Sequence, residues 1–300
     1  MFGTLYVLGV GFMVFNNHRN RQFREQYGFE ATFAFFTRDF EDEDRRDIIR
    51  TIDFWTGEVR DYTLEEYSNV RQSVLLYSRL RIENRLYEST IYLYYHGQEE
   101  VLLTNHQSIS PHPVMINDQV YFIESGYLWV LEKNNEISRV YNEPVQHRQL
   151  RTFGDYLIFL QGTFRNGRIM SKNTVTGETD FLAYGNSPSA VTDEGHLFFG
   201  MIPDGLGRYD FETGEIEEVY ENLRIYSSAP IYNEQHNTLL VFYQNPDTYT
   251  HQWQMVDGFN SIGILFLDTI ELINYRTYAR RMGFGTTHLG YNNQSNGFWE

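Results

Sequence analysis

The chain of 300 residues contains no cysteine. That absence excludes disulfides, thiolate nucleophiles, iron–sulfur clusters and cysteine-ligated zinc. Basic side chains are in short supply, 24 against 40 acidic ones, for a formal net charge of −16. Nucleic acid is bound by neutralising its phosphates with Lys and Arg, so this balance argues against it as a partner. An acidic surface instead keeps a protein soluble and apart from its own copies. Proline is rare at seven copies, and no low-complexity linker divides the chain, so 1–300 reads as a single domain. Helical periodicity is scarce too. Glu41 to Ile49 has the charge for a short helix or a polar loop, and no other segment sustains ten periodic residues. Catalytic signatures are missing: no Gly-x-Ser-x-Gly elbow, phosphate-binding glycine loop, dinucleotide fingerprint or His-Glu-x-x-His pair occurs. No cofactor is expected.

A long hydrophobic run is also lacking. Met1 to Phe15 is apolar, but a spanning helix needs about 20 such residues. A secretory signal carries its positive charge before the apolar region, whereas Arg19 and Arg21 follow it here. Gly3, Gly9 and Gly11 weaken a helix further. Two readings stand: a tether that would make the protein exported or surface-bound, or a pair of strands in a cytoplasmic protein.

Aromatic residues are abundant, 17% of the chain with 23 Tyr and 23 Phe. They suit pleated, half-buried surfaces and favour an all-β fold. A turn then recurs three times: Asp53-Phe54-Trp55-Thr56-Gly57-Glu58, Asn173-Thr174-Val175-Thr176-Gly177-Glu178 and Asp210-Phe211-Glu212-Thr213-Gly214-Glu215. The glycine supplies the left-handed backbone that closes a bulged hairpin. The leading Asp or Asn accepts backbone N–H groups across the turn. These carboxylates therefore read as structural, not as catalytic acids.

Around the turns lies a longer unit of strand, short turn and second strand, ending near an aromatic and an Asn. It is seen at 126–142 and again at Gly3–Asn16, with relatives at about 47–63, 90–105, 168–186, 207–222 and 262–275. Seven such hairpins about 40 residues apart have the spacing of four-stranded propeller blades. Between them lie hairpins with an apolar second strand, at 114–123, 153–159, 190–199 and 232–242. The latter would be strands A and B of a blade, the former strands C and D.

The A–B turns, such as Asp193-Glu194-Gly195, and the C–D turn at 209–215 resemble those of β-propellers of the bacterial Tol-type, quinoprotein-like and WD40-like groups. The likeness covers most of 4–276 at the level of the repeat. The Gly-His…Trp-Asp signature, the sialidase-type Asp box and a regular tryptophan docking motif are absent. It implies a β-propeller of four-stranded antiparallel blades and carries over no catalytic residue. If Gly3–Asn16 supplies strands C and D of one blade, strands A and B must come from 286–291 and 297–300. Pairing the termini removes the free edges of an open ring. This gives seven blades, with six as the alternative.

The longer connections are B–C: Arg38–Arg46, Leu80–Leu86, Gly162–Gly167 and Asn245–Asn260. Loops elaborated on one face mark a binding face. In the last of them Tyr249, His251 and Trp253 form an aromatic cluster suited to a protein or saccharide partner. The competing reading is a long hairpin that packs its own aromatics on the ring. The acidic run Asp39–Asp44 lacks calcium-loop spacing and reads as a solvated loop. His106 and His112 flank the start of a blade and are placed to face the axial channel. The expected function is a non-enzymatic binding or scaffold propeller acting through its B–C loop face. The alternative is a propeller hydrolase or lyase acting on carbohydrate or peptide, with acid and base gathered near the axis.

Overall fold

A computed structural model describes residues 19–38, 47–71, 75–83, 86–95, 98–106, 113–163, 166–225, 229–243, 261–283 and 298–299. Its strands form antiparallel sheets, each a run of neighbours in sequence. β1 (Thr32–Arg38), β2 (Asp47–Asp53) and β3 (Val59–Thr63) make the first, and β4 (Leu75–Glu83), β5 (Leu86–Tyr95) and β6 (Gln98–His106) the second. β7 (Val114–Ile116), β8 (Gln119–Glu124), β9 (Tyr127–Leu131) and β10 (Ile137–Tyr141) form the third. A seven-stranded sheet follows. It holds β11 (Val145–Phe153), β12 (Tyr156–Gln161), β13 (Arg168–Asn173) and β14 (Thr179–Asn186), then β15 (His196–Met201), β16 (Leu206–Asp210) and β17 (Ile216–Tyr220). The last sheet is β18 (Ile231–Asn233), β19 (Thr238–Tyr243), β20 (Ser261–Phe266) and β21 (Glu271–Asn274). β22 (Phe298–Trp299) returns to the first sheet and pairs with Ala34 and Phe33 of β1.

Uninterrupted apolar strands explain the stacking. A strand's side chains alternate between faces, so one that is apolar throughout must be covered on both. In β8, Val120 and Phe122 join a core with Ile91 and Leu103 of the second sheet, while Tyr121 and Ile123 join Leu150, Leu157 and Phe159 on the other side. In β12, Leu157 and Phe159 face back, whereas Ile158 and Leu160 face Leu197 and Phe199 of β15. Phe198 of β15 then meets Leu239, Val241 and Leu265. Leu240 and Phe242 of β19 pack with Phe33, Phe35 and Ile52 of the first sheet. Ala34 and Ile49 of that sheet meet Leu75, Tyr77 and Tyr94 of the second. Burial of each large side chain of this kind contributes roughly 1.5–3 kcal/mol.

The turns at the ends of the second and third strands of a unit are tied together in a fixed way. The amide just after β2, β13, β16 and β20 donates to the carbonyl just before β1, β12, β15 and β19. The pairs are Phe54 to Ala31 at 2.8 Å, Thr174 to Asp155 at 2.9 Å, Phe211 to Gly195 at 3.0 Å and Leu267 to Asn237 at 3.1 Å. These two kinds of turn therefore share one face, as the repeat required.

Among the described residues three short helices lie outside the sheets, none of which the sequence reading placed. α1 covers 19–27, α2 is Leu64–Arg71 and α3 is Tyr275–Met282. The expected helix or loop at Glu41–Ile49 is instead a strand from Asp47 onward, because Ile48 and Ile49 are buried in sheet packing. The expected long loop at Leu80–Leu86 is mostly strand: β4 runs to Glu83 and pairs back onto β5. Gly3–Asn16, Thr286–Tyr291 and most of the Arg38–Arg46 and Asn245–Asn260 loops lie outside the described residues.

Candidate functional site

The repeated Thr-Gly-Glu turns fold as three copies of one structure. Oδ1 of Asp53 accepts the amides of Trp55 (2.9 Å) and Thr56 (2.6 Å). Asn173 accepts those of Val175 and Thr176, both at 2.9 Å, and Asp210 those of Glu212 and Thr213 at 2.8 and 2.9 Å. Gly57, Gly177 and Gly214 sit at φ of 74, 78 and 73°, where a β-carbon is disfavoured. The Thr213 and Glu212 amides hold the Asp210 carboxyl below its ordinary range, with a further pull from His196, whose Nε2 is 3.4 Å away. A carboxylate fixed in this way stays ionised and is a poor proton donor.

Of the binding residues expected from sequence, Tyr249, His251, Trp253 and His112 lie outside the described residues. His106 ends β6, where its backbone pairs with Ser89 of β5; β6 is an edge strand of its sheet. Among the described residues, no three His, Asp or Glu side chains come close enough to hold a metal ion.

The described surface offers a different site, on the outer strands. β14 carries a bulge: Ala183 pairs with Ile169 and Phe181 with Met170, leaving Leu182 as the extra residue. Residues three apart in a regular strand point to opposite faces, and a bulge reverses that. Leu182 turns inward and is buried, while Phe181 and Tyr184 emerge together with ring centroids 4.8 Å apart. They are 41% and 67% exposed. The Arg168 guanidinium lies 5.3 Å over the Phe181 ring. Arg168 also acts on Tyr141 of the neighbouring outer strand, opposing the burial that pushes that phenol up. β10 and β17 have the same defect, with Val140 and Val219 as the extra residues. On β10 the bulge adjoins a second stack, Arg139 at 3.9 Å over Tyr127 and 5.0 Å over Trp129. Alternation in the sequence hides these platforms, since 181 and 184 read as opposite faces until the bulge is known.

A second feature lies where α1 meets α3. Arg19, Asn20, Arg280 and Arg281 line a cavity of about 370 Å³. Tyr275, Tyr278, Ala279 and Met282 anchor α3 in the core, and Arg24 of α1 hydrogen-bonds the Met282 carbonyl.

No family model matches the chain, and no curated protein matches it. Solved structures do. TolB from Acinetobacter baumannii superposes with a TM-score of 0.56 at 12% identity, over 85% of this chain and 67% of that one. A chain of a nidogen/laminin complex gives 0.48 at 10% identity, over 81% and 92%. Oligogalacturonate lyase from Vibrio parahaemolyticus gives 0.45 at 12% identity, over 66% and 71%. At such identities only the architecture is shared. With antiparallel sheets stacked face to face on doubly buried strands, this chain is a β-propeller.

Proposed function

We propose that this propeller is a non-catalytic binding protein whose partner is another protein, and that the Arg168–Phe181–Tyr184 platform is a contact site. The carrying observation is the pair of exposed, mutually stacked aromatics under a guanidinium, raised on a bulge. Aromatic and arginine side chains dominate binding energy at protein interfaces. Tyr and Phe are stiff, so ordering them against a partner sacrifices little entropy. Tyr249, His251 and Trp253 remain a proposed second contact on the B–C loop face, and His106 and His112 a proposed contact at the axial channel.

We further propose six blades. The sheet built on β11–β17 divides at its single short junction, Gly185–Met201 and Asn186–Gly200, which leaves six units of three or four strands. Six cores between successive units, including one between the last unit and the first, support the same count. In this reading β22 is the inner strand of the first blade, and the chain ends close the ring.

A photo-crosslinking side chain at position 184, compared with one at the exposed turn residue Val175, tests the function. The expected result is a discrete protein adduct from position 184 only, lost when Phe181→Ala or Arg168→Ala is added. Identical adducts from both positions, or an adduct indifferent to both substitutions, would overturn the reading.

A further inference from the structure

The blades of a propeller surround a central channel. Here the first strand of each unit stands nearest to it, at the end opposite the exposed outer strands β10, β14 and β17. These inner segments carry almost no negative charge. β22, β7, β11, β18 and the stretch 187–192 ahead of β15 contain no Asp or Glu, in a chain with 40 acidic side chains among 300 residues. β4, which opens the second sheet, holds Glu83 but also Arg79 and Arg81. On β11 the run is His147-Arg148-Gln149-Leu150-Arg151. Arg151 pairs with Ile158 and stands two residues before Phe153, which puts all three on one face of the sheet. Ile158 and Phe153 pack there with Leu197 and Phe199 of the next unit.

That apolar face strips water from the guanidinium, and the desolvation pushes it down to about 10. At neutral pH the group therefore stays charged. Depth does not seal it, since Arg151 keeps part of its surface open to solvent. A group deep in the molecule and still wetted borders an internal opening, and for an innermost strand that opening is the axis. Among the described residues its one hydrogen bond runs from Nη1 to the Leu150 carbonyl at 2.9 Å, and no carboxylate pairs with it. A charge withdrawn from bulk water without a counter-charge is costly. The inner strands β7, β18 and β22 have no carboxylate to offer it.

We infer that Arg151 marks a site on the propeller axis for the carboxylate of a small organic acid. A guanidinium presents two parallel N–H groups at the spacing of carboxylate oxygens. Its single positive charge is neutralised by one carboxylate. A phosphate dianion would leave a negative charge uncompensated, in a chain already at −16. Only a small molecule reaches this depth between the blades, so the site is separate from the outer-strand platform and its partner.

Thermal unfolding of the full chain at pH 7 in sodium acetate, against sodium chloride and sodium phosphate at equal ionic strength, tests the site. Acetate should raise the Tm saturably, by about 2 °C at a roughly tenfold excess over its Kd in a chain of this length. Arg151→Met should lose that response and, freed of a lone charge, should raise the Tm in chloride by about 2 °C or more. Arg151→Lys keeps the charge without the two-pronged donor and should lose at least about half of the acetate shift. Equal acetate shifts in the wild type and Arg151→Met, the mark of a general salt effect, overturn the proposal. So does an undiminished shift in Arg151→Lys, or a larger shift with phosphate than with acetate. A lower Tm or a failure to fold for Arg151→Met in chloride overturns it too, because that reveals a counter-charge within the chain.

Discussion

The Tyr278 hydroxyl donates to the carbonyl of Phe54 across 3.3 Å, joining residues 224 positions apart. Phe54 opens the turn after β2, and Tyr278 lies on α3, which follows β21. The eight-residue helix α3, which carries Arg276, Arg280 and Arg281, is thereby fixed to the first sheet.

That hydroxyl should be worth measuring against its neighbour. Tyr278→Phe is expected to lower stability by about 1 kcal/mol, the usual net value of a buried hydrogen bond. Tyr275 is also buried, yet its hydroxyl has no hydrogen-bond partner among the described residues. Tyr275→Phe should therefore leave stability unchanged or raise it by about 1 kcal/mol. Urea unfolding of both variants gives the comparison, and equal losses would contradict it.

Glycine governs the junction between β14 and β15. A β-carbon on Gly185 would lie 2.5 Å from the Phe199 ring and 2.7 Å from the Gly200 carbonyl, and one on Gly200 would lie 2.5 Å from Asn186 Oδ1. Gly185→Ala should destabilise by about 1–3 kcal/mol through overpacking. Gly154→Ala meets no neighbour but sits at φ 54°, so it should cost less, through backbone strain alone. Thermal unfolding in which the two variants behave alike would refute the distinction.

Acid should loosen the repeated turn that contains Asp210. Its carboxyl is held below the ordinary value, chiefly by the Thr213 amide. A depressed folded-state pKa contributes stability above the unfolded value of about 3.9 and loses it as pH falls through the folded one. Asp210→Asn should keep the turn, as Asn173 does in its own copy, while flattening the fall in stability below about pH 4. An unchanged pH profile would remove Asp210 from the account.

Ring closure has its own test. Deleting residues 298–300 removes the partner of Phe33 and Ala34 and exposes an edge of β1. The shortened chain should lose stability and self-associate, because an unpaired edge recruits other strands. Deleting residues 1–16 should leave a folded protein if the blades number six. Unfolding on that deletion would restore the seven-blade reading, in which Gly3–Asn16 is structural.

Much of the repeat was legible because it rests on local chemistry. Asp or Asn, then Thr-Gly-Glu, specifies one turn wherever it occurs, and apolar runs such as Val120–Ile123 and Leu157–Leu160 specify strands covered on both sides. The helices had signals that a search for ten-residue periodicity passes over. Thr63 and Glu66 form a reciprocal capping box at the start of α2, with the Thr63 amide on Glu66 at 2.9 Å and the Glu66 amide on Thr63 at 3.2 Å. Asn274 caps α3 by accepting the Arg276 amide, and Gly283 ends it. Phe181 and Tyr184 were not legible, because a bulge depends on how the partner strand registers, and register is a property of the pair.

The sequence alone determined the all-β propeller, the structural role of Asp53, Asn173 and Asp210, and the acidic balance that disfavours nucleic acid. Each follows from composition or from contacts within a few residues. Tertiary structure alone decided that Arg19, Arg280 and Arg281 line one cavity, and that Arg168 covers Phe181 beside Tyr184. The first grouping joins helices some 250 residues apart, and the second requires a strand to slip by one residue against its neighbour. Both are settled by packing between elements, where burial of Tyr278 and Leu182 outweighs the local cost of crowded charge and broken pairing.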